Sequence, residues 1–165
     1  VTGVTTTTFL ANENTSTTAR AFDVGANVNV AGLGLTGYYN DGKGMGSTTQ
    51  FRSGLDTEGT KRNSKDWYLQ ATYVLPTTTK VGVSYGESKL NGTAAEVSSD
   101  LDHFNSFKNE MWTVGVYHPL TKHLNLVAEY NEAKGTKNTY DAYEEADEIS
   151  TGKDKTISLG AILFF

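Results

Sequence analysis

Residues 156–165 read TISLGAILFF. Alternate residues counted back from the end are Phe165, Leu163, Ala161, Leu159 and Ile157. The intervening set is Phe164, Ile162, Gly160, Ser158 and Thr156. The first set is apolar throughout, and the second turns small and polar away from the terminus. A period of two marks a β-strand with unlike faces, because successive side chains point to opposite sides of the pleat. The fold depends on what the oily face meets, a core or a membrane.

The alternation recurs along the chain. Residues 20–30 set Phe22, Val24, Ala26, Val28 and Val30 against Asp23, Gly25, Asn27 and Asn29. Residues 33–40 set Leu33, Leu35, Gly37 and Tyr39 against Gly34, Thr36, Tyr38 and Asn40. In 66–75, Trp67, Leu69, Ala71, Tyr73 and Leu75 oppose Asp66, Tyr68, Gln70, Thr72 and Val74. Residues 80–86 carry Val81, Val83 and Tyr85 against Lys80, Gly82, Ser84 and Gly86. Residues 111–118 carry Trp112, Val114, Val116 and His118 against Met111, Thr113, Gly115 and Tyr117. In 124–131, Leu124, Leu126, Ala128 and Tyr130 oppose Asn125, Val127, Glu129 and Asn131. With the terminal segment these predict seven strands. The Thr-rich opening, residues 3–11, is expected to add an eighth whose facing the pattern leaves open. No convincing amphipathic helix is present.

Composition bounds the class. A chain of 165 residues is expected to form one domain or unit spanning 1–165. Hydrophobic residues make up 37% and mean hydropathy is -0.43. No apolar run approaches the ~18 residues of a membrane helix, so a helical membrane protein is excluded. Seventeen glycines and nine tyrosines against two prolines suit a strand-rich protein. Absence of cysteine rules out disulfides and thiolate metal sites. The net charge of -5 gives no support for nucleic-acid binding. No cofactor motif is present. No signal peptide opens the sequence, as expected of a mature chain, a fragment or a protein that is not exported.

Connections set the topology. Ala31-Gly32, residues 76–79 and residues 119–122 read as tight turns. The alternate connections, about 41–65, 87–109 and 132–153, read as long and polar. Short turns at one end and long loops at the other predict an all-β, antiparallel up-and-down transmembrane barrel with its loops outside. On that arrangement Phe22, Tyr39, Trp67, Tyr85, Trp112 and Tyr130 all fall at the outer ends of their strands and on the apolar face. A lipid-facing barrel needs such a girdle at headgroup level, since these rings favour one wet and one oily side.

Residues 19–44, 67–88, 113–134 and 156–165 resemble the C-terminal half of a Gram-negative general porin. The likeness covers the chain from about residue 19 onward and is weakest in the loops. It implies a 16-stranded barrel, usually a homotrimer in the outer membrane, in contact with lipid and lipopolysaccharide. The implied function is passive diffusion of small hydrophilic solutes and ions. It also implies that Phe165 is part of the signal read by the barrel assembly machinery, and that the family's constriction loop lies outside this chain.

The polar face supplies candidate pore-lining residues: Asp23, Asn27, Tyr38, Asp66, Tyr68, Gln70, Lys80, Tyr117 and Glu129. An eight-stranded barrel has an interior that side chains fill. Three acids, one lysine and many small polar residues pack poorly there and suit a wider aqueous wall. The chain is therefore expected to be part of a larger barrel. The alternative is a complete small barrel with a structural, adhesive or receptor role; a soluble ligand-holding barrel fits less well. Asp23, Asp66 and Glu129 are candidates for cation preference. Tyr38, Tyr68 and Tyr117 are candidate sugar-stacking platforms.

Metal and catalytic chemistry find no convincing site. The acidic run Asp141–Glu148 lacks the spacing of a calcium loop and reads as solvated. His118 and His123 flank a turn without a third ligand. His103 lies near Ser98, Ser99, Asp100 and Asp102 in a polar loop, but a triad requires geometry rather than proximity in sequence.

Overall fold

A computed structural model describes residues 2–11, 15–47, 53–98 and 103–165, with side chains from residue 17 onward. The strands are β1 (Thr2–Ala11), β2 (Thr15–Val30), β3 (Leu33–Lys43), β4 (Asn63–Val74), β5 (Lys80–Asn91), β6 (His103–Pro119), β7 (Leu124–Asp141) and β8 (Ala146–Leu163). A single helical turn, α1 (Ala94–Val97), sits between β5 and β6. Every strand pairs antiparallel with its chain neighbours, so sheet order equals sequence order. Seven strands, β2–β8, are described with their side chains. The expected eighth, β1, is described only through its backbone pairing with β2.

Local chemistry accounts for the turns. Ala31 and Gly32 both take positive φ, 49° and 84°. That two-residue turn twists with the strands instead of splaying them. Residues 75–79 and 120–123 make the other two short connections. The long connections are shorter than the sequence suggests. Strand pairing runs on to Lys43, Asn91 and Asp141, well past the aromatic belt. The expected loop at 132–153 is in fact mostly ladder, with only 142–145 left as the turn. The β7 and β8 extensions are polar on both faces, so their composition resembles that of a loop.

The sheet has almost no core. Among the described residues the buried hydrophobic side chains are Ala19, Ala21 and Leu90. Val24, Val28, Leu35, Leu69, Val83, Val114, Leu126, Ile157 and Leu159 all lie exposed on one face. Space encloses on the other face: one cavity of about 710 Å³ is lined by Tyr38 and Tyr68 at one side and by Asp154 on β8 at the other. Strands set about 4.8 Å apart reach one cavity in this way only if the sheet curls. Among the described residues no ladder joins β8 to β1, so the curled sheet is open and those two strands are its edges.

Candidate functional site

Pairing register carries the polar alternation from strand to strand. Asn27, Thr36, Gln70, Ser84, Thr113, Asn131 and Thr156 form one continuous cross-strand row on the concave face. Asn27 donates to Thr36 at 2.6 Å, and Thr113 donates to Asn131 at 2.6 Å. One step toward the outer end, Tyr38 sits directly opposite Tyr68. Asp23, Asn40 and Asp66 make the next row. Lys80 opposes Tyr117 near the short turns, and the Tyr117 hydroxyl donates to Glu129. All nine residues expected on the polar face therefore share one face. The rows bring Asn27 into line with Gln70, and Asp23 into line with Asp66.

The convex face carries the six aromatics. Trp67 and Tyr85 have ring centroids 5.2 Å apart, and Trp112 and Tyr130 are 5.1 Å apart. Tyr85 donates to Glu110 at 2.9 Å, Tyr130 to Glu132 at 3.2 Å and Tyr39 to Asp41 at 3.3 Å. Each hydroxyl points toward the outer end, where the charges begin, and leaves its ring beside aliphatic neighbours. Farther out on the same face, Lys65, Lys89 and Lys108 are directly opposed across β4, β5 and β6.

Register sets the relative heights of the aromatics. Tyr39 faces Trp67, and Tyr85 faces Trp112. Between the other neighbours the belt drops two residues toward the short turns: Phe22 faces Asp41, Trp67 faces Glu87 and Trp112 faces Glu132. From β2 to β7 the drop is six residues over five strand steps, always in one direction. With ~3.3 Å per residue and ~4.8 Å between strands, a horizontal belt requires a tilt of about 40°. Closed barrels have tilts of roughly 35–45°.

The outer end holds a cluster that reading the sequence missed. A bulge between Phe104 and Ser106 shifts the register and places Phe104 opposite Thr139, on the concave side. The Arg62 guanidinium lies 4.5 Å over the Phe104 ring. Arg62 Nε donates to Glu96 Oε2 at 2.9 Å, and its Nη2 pairs with Glu96 Oε1. Thr93 and Glu96 form a capping box around α1. Thr93 also donates to Asp56 Oδ2 at 2.8 Å, and the other Asp56 oxygen accepts from the Thr60 and Glu58 N–H groups. Burial pushes the Asp56 carboxyl up, but these hydrogen bonds and the Arg62 charge outweigh it and hold the group below its usual range. The hydrogen bonds from Arg62 lower Glu96 against its own burial. The TAAE string at 93–96 was the one visible signal of this cluster.

Other sequence candidates separate. His118 Nδ1 meets Thr79 Oγ1 at 2.9 Å at the short-turn rim. His103 stacks on Tyr140 with centroids 4.9 Å apart. Ser99, Asp100 and Asp102 lie outside the described residues. Among the described residues no group of three or more His, Asp or Glu could hold a metal ion, the 141–148 acids included. The Phe164 N–H donates to the His123 carbonyl at 2.8 Å, and Phe165 lies fully exposed beyond it.

A curled meander with one apolar face, one polar face and a row of aromatics that steps steadily from strand to strand is how β-barrel channel proteins are built. The Gram-negative porin family model matches residues 2–138, and the chain belongs to that family. No curated protein and no solved structure matches it. Membership points to a channel rather than an enzyme, and to the outer membrane at the level of the family.

Proposed function

We propose that residues 1–165 form part of the wall of an outer-membrane porin that passes small hydrophilic solutes and ions by passive diffusion, without catalysis. One observation carries the reading: the continuous polar row on the concave face stands behind an aliphatic convex face crossed by a belt at barrel tilt. Apolar surface of that extent is stable when lipid covers it. The polar row suits contact with water, because its small hydroxyls and amides leave lone pairs that a dry interior would penalise.

The partners follow from the edges and the belt. The free edges of β1 and β8 take further strands of the same barrel, which closes a wider pore than eight strands allow. Directly opposed lysines repel one another. Lys65 also pairs with Asp41 and Lys108 with Glu87 and Glu110, and the row they form with Lys89 just outside the belt fits the phosphates of lipopolysaccharide in the outer leaflet. Three such barrels make the trimer, and the assembly machinery engages Phe165. On the wall, Asp23, Asp66 and Glu129 against Lys80 favour cations mildly, since carboxylates along a water path raise local cation concentration.

Planar-bilayer recording on the intact protein tests this. Stable, ohmic conductance is expected, with a cation-selective reversal potential that moves toward neutrality in the Asp23→Asn, Glu129→Gln double variant. No stable conductance would refute the channel. Anion selectivity, or a reversal potential unmoved in the variant, would refute the charge assignment alone.

A further inference from the structure

We propose that segment 53–62 and α1 together form a fixed constriction at the outer mouth of the pore, with Arg62 as the residue that positions it; the inference rests on the channel reading above. The outer connections would be expected to stand out into water as solvated polar loops. They do not. Ala19, Ala21, Ser64 and Leu90, all on the concave face at its outer end, are 0%, 6%, 1% and 2% exposed. Lys61 Nζ donates to the Thr18 carbonyl at 3.1 Å. The Arg62 and Gly44 backbones are tied by a hydrogen bond of 2.9 Å, and so are those of Arg62 and Gly54. The segment is laid down along the inner wall.

The segment also reaches toward the opposite side. A cleft of about 640 Å³ lies between Asp56, Glu58 and Glu96 on one bank and Lys137, Thr139 and Glu148 on the other. Thr139 and Lys137 share the inward face with Phe104 and Phe107, their partners on β6. A solute entering from outside along this wall meets that cleft before it reaches the polar row.

The attachment is stiff. Arg62 spends all three nitrogens: two on Glu96 and one, Nη1, on the Ser53 carbonyl at 3.0 Å. Its planar face is used on Phe104 as well. Side chains of Arg62 and Glu96 are 12% and 15% exposed, so each needs the other to balance lost hydration. Only a planar fork satisfies carboxylate, carbonyl and ring together, which lysine cannot do. Thr93 carries the second tie, joining α1 to Asp56.

Single-channel conductance and liposome swelling with neutral sugars of rising size test the proposal on the intact, assembled protein. Assembly is checked by heat-modifiable gel mobility. Arg62→Gln is expected to raise conductance, shift the size limit to larger sugars and add flicker, with Arg62→Lys falling between it and wild type. Thr93→Val, which leaves the ion pair in place, is expected to shift the size limit in the same direction, and it keeps the test available if Arg62→Gln fails to assemble. Wild-type conductance and size limit in an assembled variant would overturn the constriction and leave the channel reading intact. A wild-type protein that does not conduct would overturn both.

Discussion

Gly54 shows how little room the outer segment leaves. A β-carbon there would lie 2.3 Å from the Gly44 carbonyl oxygen and 2.9 Å from the Gly46 nitrogen, and both are backbone atoms that cannot swing aside. Gly54→Ala is expected to cost about 1–3 kcal/mol locally, as overpacking does. It should release segment 53–62 to protease while the strands keep their sheet; cleavage at the wild-type rate would contradict this. At the other end of the chain, Phe165 makes no core contact that its removal could destabilise. Phe165→Asp is expected to lower the assembled amount in the outer membrane more than the melting of barrels already folded. Normal assembled levels would sink that assignment. The facing of the residues within the strands was legible in the sequence, because the period of two is a local property. Arg62 and Glu96 were not legible as a pair, since 34 residues separate them and only the folded segment makes them meet.

At the scale of elements, the two depressed carboxylates fix the sign of a pH effect. A carboxylate held below its usual range in the fold contributes stability above its unfolded pKa and loses it as pH falls through its folded pKa. Asp56 and Glu96 are both of that kind. The clamp between segment 53–62 and α1 is therefore expected to be intact at neutral pH and to loosen below about pH 4, where carboxylates protonate. A spin label at Glu58, on the exposed side of the segment, reports this as added mobility on acidification that reverses on neutralisation; unchanged spectra down to pH 3 would contradict it. Strand identity was easier to read than strand length. Residues 132–153 look like a loop because both faces of β7 and β8 are polar there, so no hydrophobic contrast marks the ladder. Val127, Tyr117 and Met111 show the converse, apolar or aromatic residues on the polar face that did not obscure the pattern set by their neighbours.

For the molecule as a whole, one division organises everything else: the convex face is apolar and the concave face polar, which on the proposed function sets lipid against the first and water against the second. The belt of Phe22, Tyr39, Trp67, Tyr85, Trp112 and Tyr130 gives that division a height and a tilt. The free edges of β1 and β8 give it a direction of growth. Up-and-down order was legible because short and long connections alternate, and an unclosed sheet was expected because three acids, one lysine and many small polar residues pack poorly inside eight strands. The most direct test is site-directed spin labelling of the intact protein in bilayers, with collision by oxygen, which concentrates in lipid, set against a water-soluble nickel chelate. Labels at Val24, Leu69 and Val83 are expected to favour oxygen, and labels at Asn27, Gln70 and Ser84 the chelate, alternating along each strand. The reverse parity, or no alternation at all, would contradict the account.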